Sequence, residues 1–106
     1  MTDILHSLEA VIDARRFADP ETSYAARLFA KGRPTIARKL GEEAVETVVA
    51  ALAQDDAALV GEAADLLFHL LVLLAERGIA LDSVLDELRR REGVSGIAEK
   101  AARPPE

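Results

Sequence analysis

The sequence predicts an all-α protein, a helical bundle of four to five helices. Alanine, leucine, glutamate and arginine dominate the composition, whereas β-branched and aromatic residues are few, which favours helix over strand. Apolar residues recur at three- and four-residue steps, and no alternating strand pattern is present. With 106 residues and no cysteine, the chain suits one modest domain and excludes disulfide scaffolds, thiolate metal sites and thiol nucleophiles.

The first two predicted helices are short. The first follows a cap at Thr2 or Asp3 and ends near Arg16, and a proline-containing turn comes next. Ser23 is placed to cap the second helix, which extends to Lys31. A glycine and a proline then end this helix and start another.

The third and fourth predicted helices are the longest. The third covers about residues 35–54, and Asp55 and Asp56 provide a loop and a cap. The fourth covers about residues 59–77, and Gly78 follows it at a position that often needs a left-handed residue. Because the fourth helix is apolar on nearly every side, we expect it to be buried on most sides.

The fifth predicted helix begins near Leu81, with Asp82 or Ser83 as its cap, and ends in a run of three arginines. The apolar pattern fades after this point. We therefore expect a single all-α domain over residues 1–92 and a mobile C-terminal tail over residues 93–106.

Two pairs of carboxylates share one spacing on the two long helices. Glu43 and Glu46 are three residues apart on the third helix, beside its apolar face, and Glu62 and Asp65 repeat this spacing on the fourth. Acidic residues on a helix are most often a solvated face. If the two helices are neighbours, however, the two pairs are able to face each other.

Asp65 favours a site over a solvated surface. It lies within residues 63–75, which are apolar nearly all round, and a buried carboxylate needs a cation or a metal ion to compensate it. The only cation on this helix is Arg77, about three turns away. Four carboxylates without cysteine suit Mg²⁺, with Mn²⁺ as the alternative, so the sequence predicts a divalent-ion site.

His69 lies one turn beyond Asp65 on the same face. It is either a partner that orients the metal ligands or a buried histidine whose ring bonds a backbone carbonyl. A ferritin-like di-iron site is not expected, because that site needs Glu-x-x-His and position 68 is Phe68.

A basic segment precedes the carboxylates, although the formal net charge of the chain is −6. Residues 22–41 contain five cations and no acid. Lys31, Arg38 and Lys39 are candidates for binding phosphate, the alternative being charge balance on a solvated surface. Nucleic-acid binding is not expected, because the chain is acidic and has few aromatic residues for stacking.

We expect the protein to be cytoplasmic and not membrane-bound. The first residues lack the basic and apolar regions of a secretory signal. The longest apolar run, residues 66–75, contains His69 and is shorter than the roughly 20 residues that span a bilayer.

Several segments together carry a resemblance to a known family. They are Ser23-Tyr24-Ala25-Ala26-Arg27-Leu28, Lys31-Gly32, Lys39-Leu40-Gly41-Glu42-Glu43-Ala44-Val45-Glu46 and Glu62-Ala63-Ala64-Asp65-Leu66-Leu67-Phe68-His69-Leu70-Leu71. On these motifs the chain resembles the phosphoribosyl-ATP pyrophosphohydrolase family, over about residues 3–96. The paired carboxylates are also similar to the signature of the wider MazG-like all-α nucleotide pyrophosphohydrolase superfamily.

The resemblance implies a MazG-like bundle completed by homodimerisation, as a homodimer or a higher homo-oligomer. It implies that Glu43, Glu46, Glu62 and Asp65 match the Mg²⁺ ligands of the superfamily. It further implies that phosphoribosyl-ATP is hydrolysed to phosphoribosyl-AMP and pyrophosphate, the second step of histidine biosynthesis. A separate cyclohydrolase is then expected to act next.

Roles for other residues stay open at this stage. Glu42, or a less tightly bound acid such as Glu46, is expected to orient or deprotonate the attacking water. Ser23 and Tyr24 either contact the substrate or only cap and pack the second helix. The alternatives to the implied activity are a pyrophosphohydrolase that removes noncanonical nucleoside triphosphates and a helical dimerisation module without catalysis.

Overall fold

The structure is a computed structural model that describes residues 3–104. Two long antiparallel helices form its centre. The helices are α1 (Ile4–Ala14), α2 (Tyr24–Lys31), α3 (Arg33–Ala53), α4 (Asp56–Glu76), α5 (Leu81–Arg91) and α6 (Gly96–Ala102). No strand occurs within residues 3–104, and the all-α class is confirmed. Over this range there are six helices, whereas four to five were expected, and the additional helix is α6.

Three helices begin at the side-chain caps that the sequence predicts. Asp3, Ser23 and Asp55 each accept a hydrogen bond from the backbone N–H three residues ahead, at 2.9–3.1 Å. Such a bond satisfies one of the donors left free at a helix start. Thr2, the alternative cap of α1, lies outside the described residues.

The start of α5 differs from the prediction, because neither Asp82 nor Ser83 caps it. The backbone N–H of Leu81 instead donates to the Glu9 carboxylate on α1, at 2.7 Å. One residue further, the Asp82 carboxylate lies 2.6 Å from the His6 ring. The cap therefore comes from another helix, which local sequence patterns do not report.

Two glycines set the ends of α2 and α4. Gly32 has a φ of 92° between α2 and α3, and Gly78 has a φ of 71° after α4. Backbone with such positive φ values is disfavoured for residues that have a Cβ atom. Gly78 confirms the predicted left-handed residue at the end of the fourth helix.

The hydrophobic core lies at one end of the α3–α4 pair, where α1, α2 and the start of α5 cover it. Its buried members are Ile12, Leu28, Ile36, Leu71, Val72, Ala75 and Leu81. These residues come from the first turn of α3 and the last turns of α4, together with the three covering helices. The core thus fixes one half of the long helix pair.

The other half of the pair is uncovered. Exposed apolar side chains there are Val45, Val48, Val49, Leu52, Val60 and Leu67. The expectation that the fourth helix is buried on most sides is therefore wrong for the single chain. Its buried residues are confined to the half beyond residue 68, where α4 contributes to the core.

Within the described residues, α4 is the one helix long and apolar enough to cross a membrane by length and composition. The core helix of a soluble protein passes the same criterion. In this chain the C-terminal half of α4 contributes Leu71, Val72 and Ala75 to the core.

Helix α6 lies in the segment expected to be a mobile tail. Its Glu99 is only 8% exposed and pairs with Arg90 at 2.9 Å, Arg103 at 3.2 Å and Arg91 at 3.7 Å. These ion pairs join α6 to the end of α5. The mobility of residues 93–106 and the domain boundary at residue 92 stay predictions.

Replacing Ile36 by alanine should lower the free energy of unfolding by about 2–5 kcal/mol, because the side chain is fully buried and its loss leaves a cavity. The matched control is Ile4→Ala on α1, where the side chain is 78% exposed, and it should cost less than about 0.5 kcal/mol. Urea denaturation measures both values. Equal losses would show that the core is not where we place it.

Candidate metal centre

Helices α3 and α4 bring four carboxylates together in the half of the pair that the core does not cover. Oxygen atoms of Glu43, Glu62 and Asp65 all lie within 4.8 Å of one another. Glu46 lies one turn after Glu43, and its carboxylate is among the groups that raise the pKa of Glu43 and of Glu62. The two sequence pairs thus face each other as predicted.

Thr47 holds the two helices together at this level. Its hydroxyl lies 2.7 Å from the Glu43 carbonyl oxygen and 3.3 Å from the Glu62 carbonyl oxygen. It thereby links the backbone turns that carry one carboxylate from each helix. The sequence motifs do not single out this residue. The one indication in the sequence is that Thr47 is a β-branched residue in a helix interior, where such residues are mildly disfavoured and so often have a specific role.

The electrostatics of this carboxylate cluster are unfavourable without a cation. Burial, followed by the carboxylates of Glu46, Asp65 and Glu62, raises the pKa of Glu43 from 4.5 to about 7. The same causes, burial first and then Glu46, raise the pKa of Glu62. Within residues 3–104, no lysine, arginine or histidine forms an ion pair with any of the four groups. Like charges in partial burial disfavour the ionised forms.

Two atoms of this cluster fit a metal ion. The Oε2 atoms of Glu43 and Glu62 are buried and have no hydrogen-bond partner. A buried carboxylate oxygen without a partner is costly, and a coordinated cation removes that cost. An all-oxygen carboxylate set is also the donor set that Mg²⁺ and Mn²⁺ prefer.

The expectation that Asp65 is the buried carboxylate is wrong for the single chain. Asp65 is exposed, whereas Glu43 and Glu62 are the residues with buried oxygens. The physical reason is that the core covers only the part of α4 beyond residue 68, so Asp65 lies outside it. Apolar residues near Asp65, such as Val60 and Leu67, therefore remain exposed in the described chain.

An open groove of about 570 Å³ runs along α3 beside Glu46. Its lining residues are Arg38, Gly41, Glu42, Val45 and Glu46. Glu42 is exposed, and its carboxylate lies 3.5 Å from Arg38 and 3.4 Å from Lys39. The structure therefore places Glu42 beside the groove and pairs it with two of the predicted phosphate-binding residues.

Lys31 is not brought to the carboxylates. It ends α2, and Glu43 comes ten residues after the start of α3 at Arg33, which corresponds to about 15 Å along the helix. Ser23 is not among the clustered groups and acts as the cap of α2. These two residues therefore lie outside the carboxylate cluster itself.

His69 is buried and lies behind the cluster. Its Nδ1 is 2.7 Å from the backbone carbonyl oxygen of Asp65, and its Nε2 is 3.0 Å from the Tyr24 hydroxyl. The ring thus satisfies a backbone carbonyl, and it also connects the Asp65 turn to α2. The partnership with Tyr24 spans 45 residues and is invisible in the sequence.

Comparison with known proteins assigns the chain to a family. The family model described as phosphoribosyl-ATP pyrophosphohydrolase matches residues 5–92. The chain belongs to the phosphoribosyl-ATP pyrophosphohydrolase family. This match confirms the resemblance carried by the motifs on α2, α3 and α4.

Relatives with the name phosphoribosyl-ATP pyrophosphatase are similar to the chain over nearly its full length. The protein from Rhizorhabdus wittichii is 68% identical, covering 98% of each chain. The protein from Erythrobacter litoralis is 66% identical, covering 93% of this chain and 95% of the relative. The protein from Zymomonas mobilis is 63% identical, covering 96% and 95%. The region matched by the phosphoribosyl-ATP pyrophosphohydrolase model includes all four carboxylates and stops before α6.

In the absence of metal, the protein should become less stable as the pH rises from about 4.5 to about 7. The folded state holds a proton on Glu43 up to about pH 7, whereas the unfolded chain releases it near 4.5. Between these two pKa values only the unfolded state is stabilised by ionisation of this carboxyl group, so the free energy of unfolding falls as the pH rises. The fall levels off above the pKa of the folded state. Urea denaturation in the presence of a chelator measures this slope.

Glu43→Gln should flatten this slope, because the variant has no proton to release at that position. Glu21→Gln, an exposed position in the turn before α2, is the matched control and should keep the wild-type slope. A wild-type slope in Glu43→Gln would show that Glu43 is not the source of the pH dependence.

Proposed function

We propose that this chain hydrolyses phosphoribosyl-ATP to phosphoribosyl-AMP and pyrophosphate, the second step of histidine biosynthesis. The observation that carries the proposal is the cluster of four carboxylates, in which Glu43 and Glu62 each have a buried oxygen without a partner. Membership of the family and the names of the similar relatives support the choice of substrate.

The proposed cofactor is Mg²⁺, with Mn²⁺ as the alternative, held by Glu43, Glu46, Glu62 and Asp65. When bound, the ion supplies positive charge to phosphate oxygens and lowers the pKa of a coordinated water. The carboxylates orient this charge toward the open side of the cluster, where Asp65 is exposed. The unpartnered oxygens of Glu43 and Glu62 support this assignment.

The groove beside the cluster suggests which residues handle the substrate. Arg38 and Lys39 bind phosphate oxygens along the triphosphate, since both lie next to the cluster on α3. Glu42 is paired with these two cations, which leaves Glu46 as the better placed group to take the proton of the attacking water. The α–β phosphoanhydride bond breaks, and pyrophosphate leaves.

Lys31 fits a different part of the substrate. It precedes the start of α3, which lies about 15 Å along the helix axis from Glu43, so the nearer Arg38 and Lys39 are the better candidates for the triphosphate oxygens. Phosphoribosyl-ATP carries a further phosphate on its added ribose, and we assign Lys31 to that group. His69 and Ser23 then hold the backbone of α4 and α2 without touching the substrate.

We further propose that the chain acts as a homodimer or a higher homo-oligomer. The uncovered half of the α3–α4 pair exposes Val48 and Leu52, 57% and 83% exposed, on the same helix as the carboxylates. Adjacent apolar residues of this kind mark an interaction surface, and a second copy of the chain covers it most simply. We expect the protein in the cytoplasm, with a separate cyclohydrolase acting on its product.

Replacing Leu52 by aspartate should lower the mass of the assembly from that of a dimer to that of a monomer. A charge placed in a buried apolar interface is strongly unfavourable, whereas the same change on an exposed surface has little effect. Light scattering after size-exclusion chromatography measures the mass. The control is Ile97→Asp on α6, 86% exposed, which should leave the mass unchanged. A wild-type monomer would contradict the proposed assembly.

Glu46→Gln and Asp65→Asn should each reduce Mg²⁺-dependent pyrophosphate release from phosphoribosyl-ATP by about 100-fold or more, because each removes a charged ligand. Glu21→Gln, remote from the cluster, should keep wild-type activity. Enzyme-coupled detection of pyrophosphate measures the rates. Full activity in both ligand variants would refute the site.

The substrate is tested with a panel of nucleoside triphosphates in competition with phosphoribosyl-ATP. We expect the largest kcat/KM for phosphoribosyl-ATP. A preference for a noncanonical nucleoside triphosphate would instead assign the same site to the removal of such nucleotides.

A further inference from the structure

A chain of two hydrogen bonds connects Tyr24 on α2 to the helix turn that carries Asp65. The Tyr24 hydroxyl lies 3.0 Å from His69 Nε2, and His69 Nδ1 lies 2.7 Å from the Asp65 backbone oxygen. His69 is 4% exposed, whereas Tyr24 is 47% exposed. The imidazole is therefore sealed inside the protein, whereas about half of the tyrosine is open to solvent.

The identity of the three groups fixes the direction of both bonds. A backbone carbonyl oxygen only accepts hydrogen bonds, so His69 Nδ1 must carry the ring proton. In the neutral imidazole, Nε2 then has only a lone pair. The Tyr24 hydroxyl must donate its hydrogen to Nε2.

The remaining capacity of the Tyr24 oxygen is therefore that of an acceptor. Its ring is also held in place, because it stacks on Phe68 with centroids 5.9 Å apart and meets His69 edge-on at 5.8 Å. A phosphate oxygen has no hydrogen at neutral pH, so it does not donate a hydrogen bond to the Tyr24 oxygen. A ribose hydroxyl or an amino group carries a hydrogen and is able to donate this bond.

We propose that Tyr24 determines specificity in the pyrophosphohydrolase site by accepting a hydrogen bond from a hydroxyl or amino group of the nucleotide, and that His69 is the positioning residue that sets this polarity. The inference rests on the proposed function. It separates the tasks on the two helices: the cations of α3 hold phosphate oxygens, and Tyr24 on α2 recognises the nucleoside part.

The first test is the tautomer of His69, read from ¹⁵N NMR of the imidazole rings in metal-free protein. The measurement is made at about pH 8, above the ordinary pKa of imidazole near 6.5. The chain has two histidines, so His6→Gln identifies the remaining signal as that of His69. We expect the Nδ1–H tautomer. The Nε2–H tautomer would overturn the inference, because Tyr24 would then be free to donate to phosphate.

The second test is kinetic. Tyr24→Phe keeps the ring and removes the oxygen, and it should raise KM about 3- to 10-fold, the effect of one hydrogen bond, while kcat stays within about twofold. An unchanged KM with an active wild type would overturn the inference. A wild type that does not hydrolyse phosphoribosyl-ATP would instead refute the proposed function. The tautomer of His69 would still show the direction of the hydrogen bond between Tyr24 and His69.

Two replacements of His69 separate positioning of Tyr24 from support of the backbone. His69→Gln places an amide oxygen near the position of Nε2 and keeps an acceptor for Tyr24, so it should retain a KM near the wild-type value. His69→Asn places its amide near Nδ1, keeps the donor to Asp65 and loses that acceptor, so KM should rise as in Tyr24→Phe. The reverse order would show that His69 serves only the backbone.

Substrate analogues identify the donor on the nucleotide. The penalty of Tyr24→Phe should disappear for the analogue that lacks the hydroxyl or amino group bound by Tyr24, because that analogue cannot make the bond in either protein. Analogues lacking one ribose hydroxyl or the base nitrogen donor are compared in turn. A penalty that persists in every analogue would overturn the inference.

Discussion

The structure depends on holding four carboxylates close together on two packed helices without an ion pair to a cationic side chain within residues 3–104. Burial and mutual repulsion raise the pKa of Glu43 to about 7, and the Oε2 atoms of Glu43 and Glu62 have no partner. Such an arrangement disfavours folding and persists only if other contacts hold the helices together. The Thr47 hydroxyl at the cluster and the apolar core at the far end of the helices provide these contacts.

The division of the α3–α4 pair into two halves follows from the size of the chain. With 106 residues, the covering helices suffice for only one half, where Ile36 and Val72 are fully buried. The other half keeps the carboxylates open to a ligand and leaves Leu52 exposed. A short chain thus places its stability and its site at opposite ends of the same two helices.

Much of this architecture was predictable from local patterns. Asp3, Ser23 and Asp55 mark helix starts, and the three-residue spacing of the acids placed both pairs on facing sides. The failures concern contacts between distant segments. The exposure of Asp65 could not be predicted from its apolar neighbours, because the core covers only the part of α4 beyond residue 68. Likewise, the cap of α5 comes from Glu9, 72 residues away, and the tyrosine bonded to His69 is 45 residues away.

The central claim is that the carboxylate cluster is a divalent-cation site, and thermal unfolding with and without Mg²⁺ tests it most directly. A ligand that binds only the folded state raises Tm with its concentration. The account predicts that Mg²⁺ raises the Tm of the wild type and leaves that of Glu62→Gln nearly unchanged. A wild-type Tm that does not respond to Mg²⁺ or Mn²⁺, or an equal rise in both proteins, would contradict it.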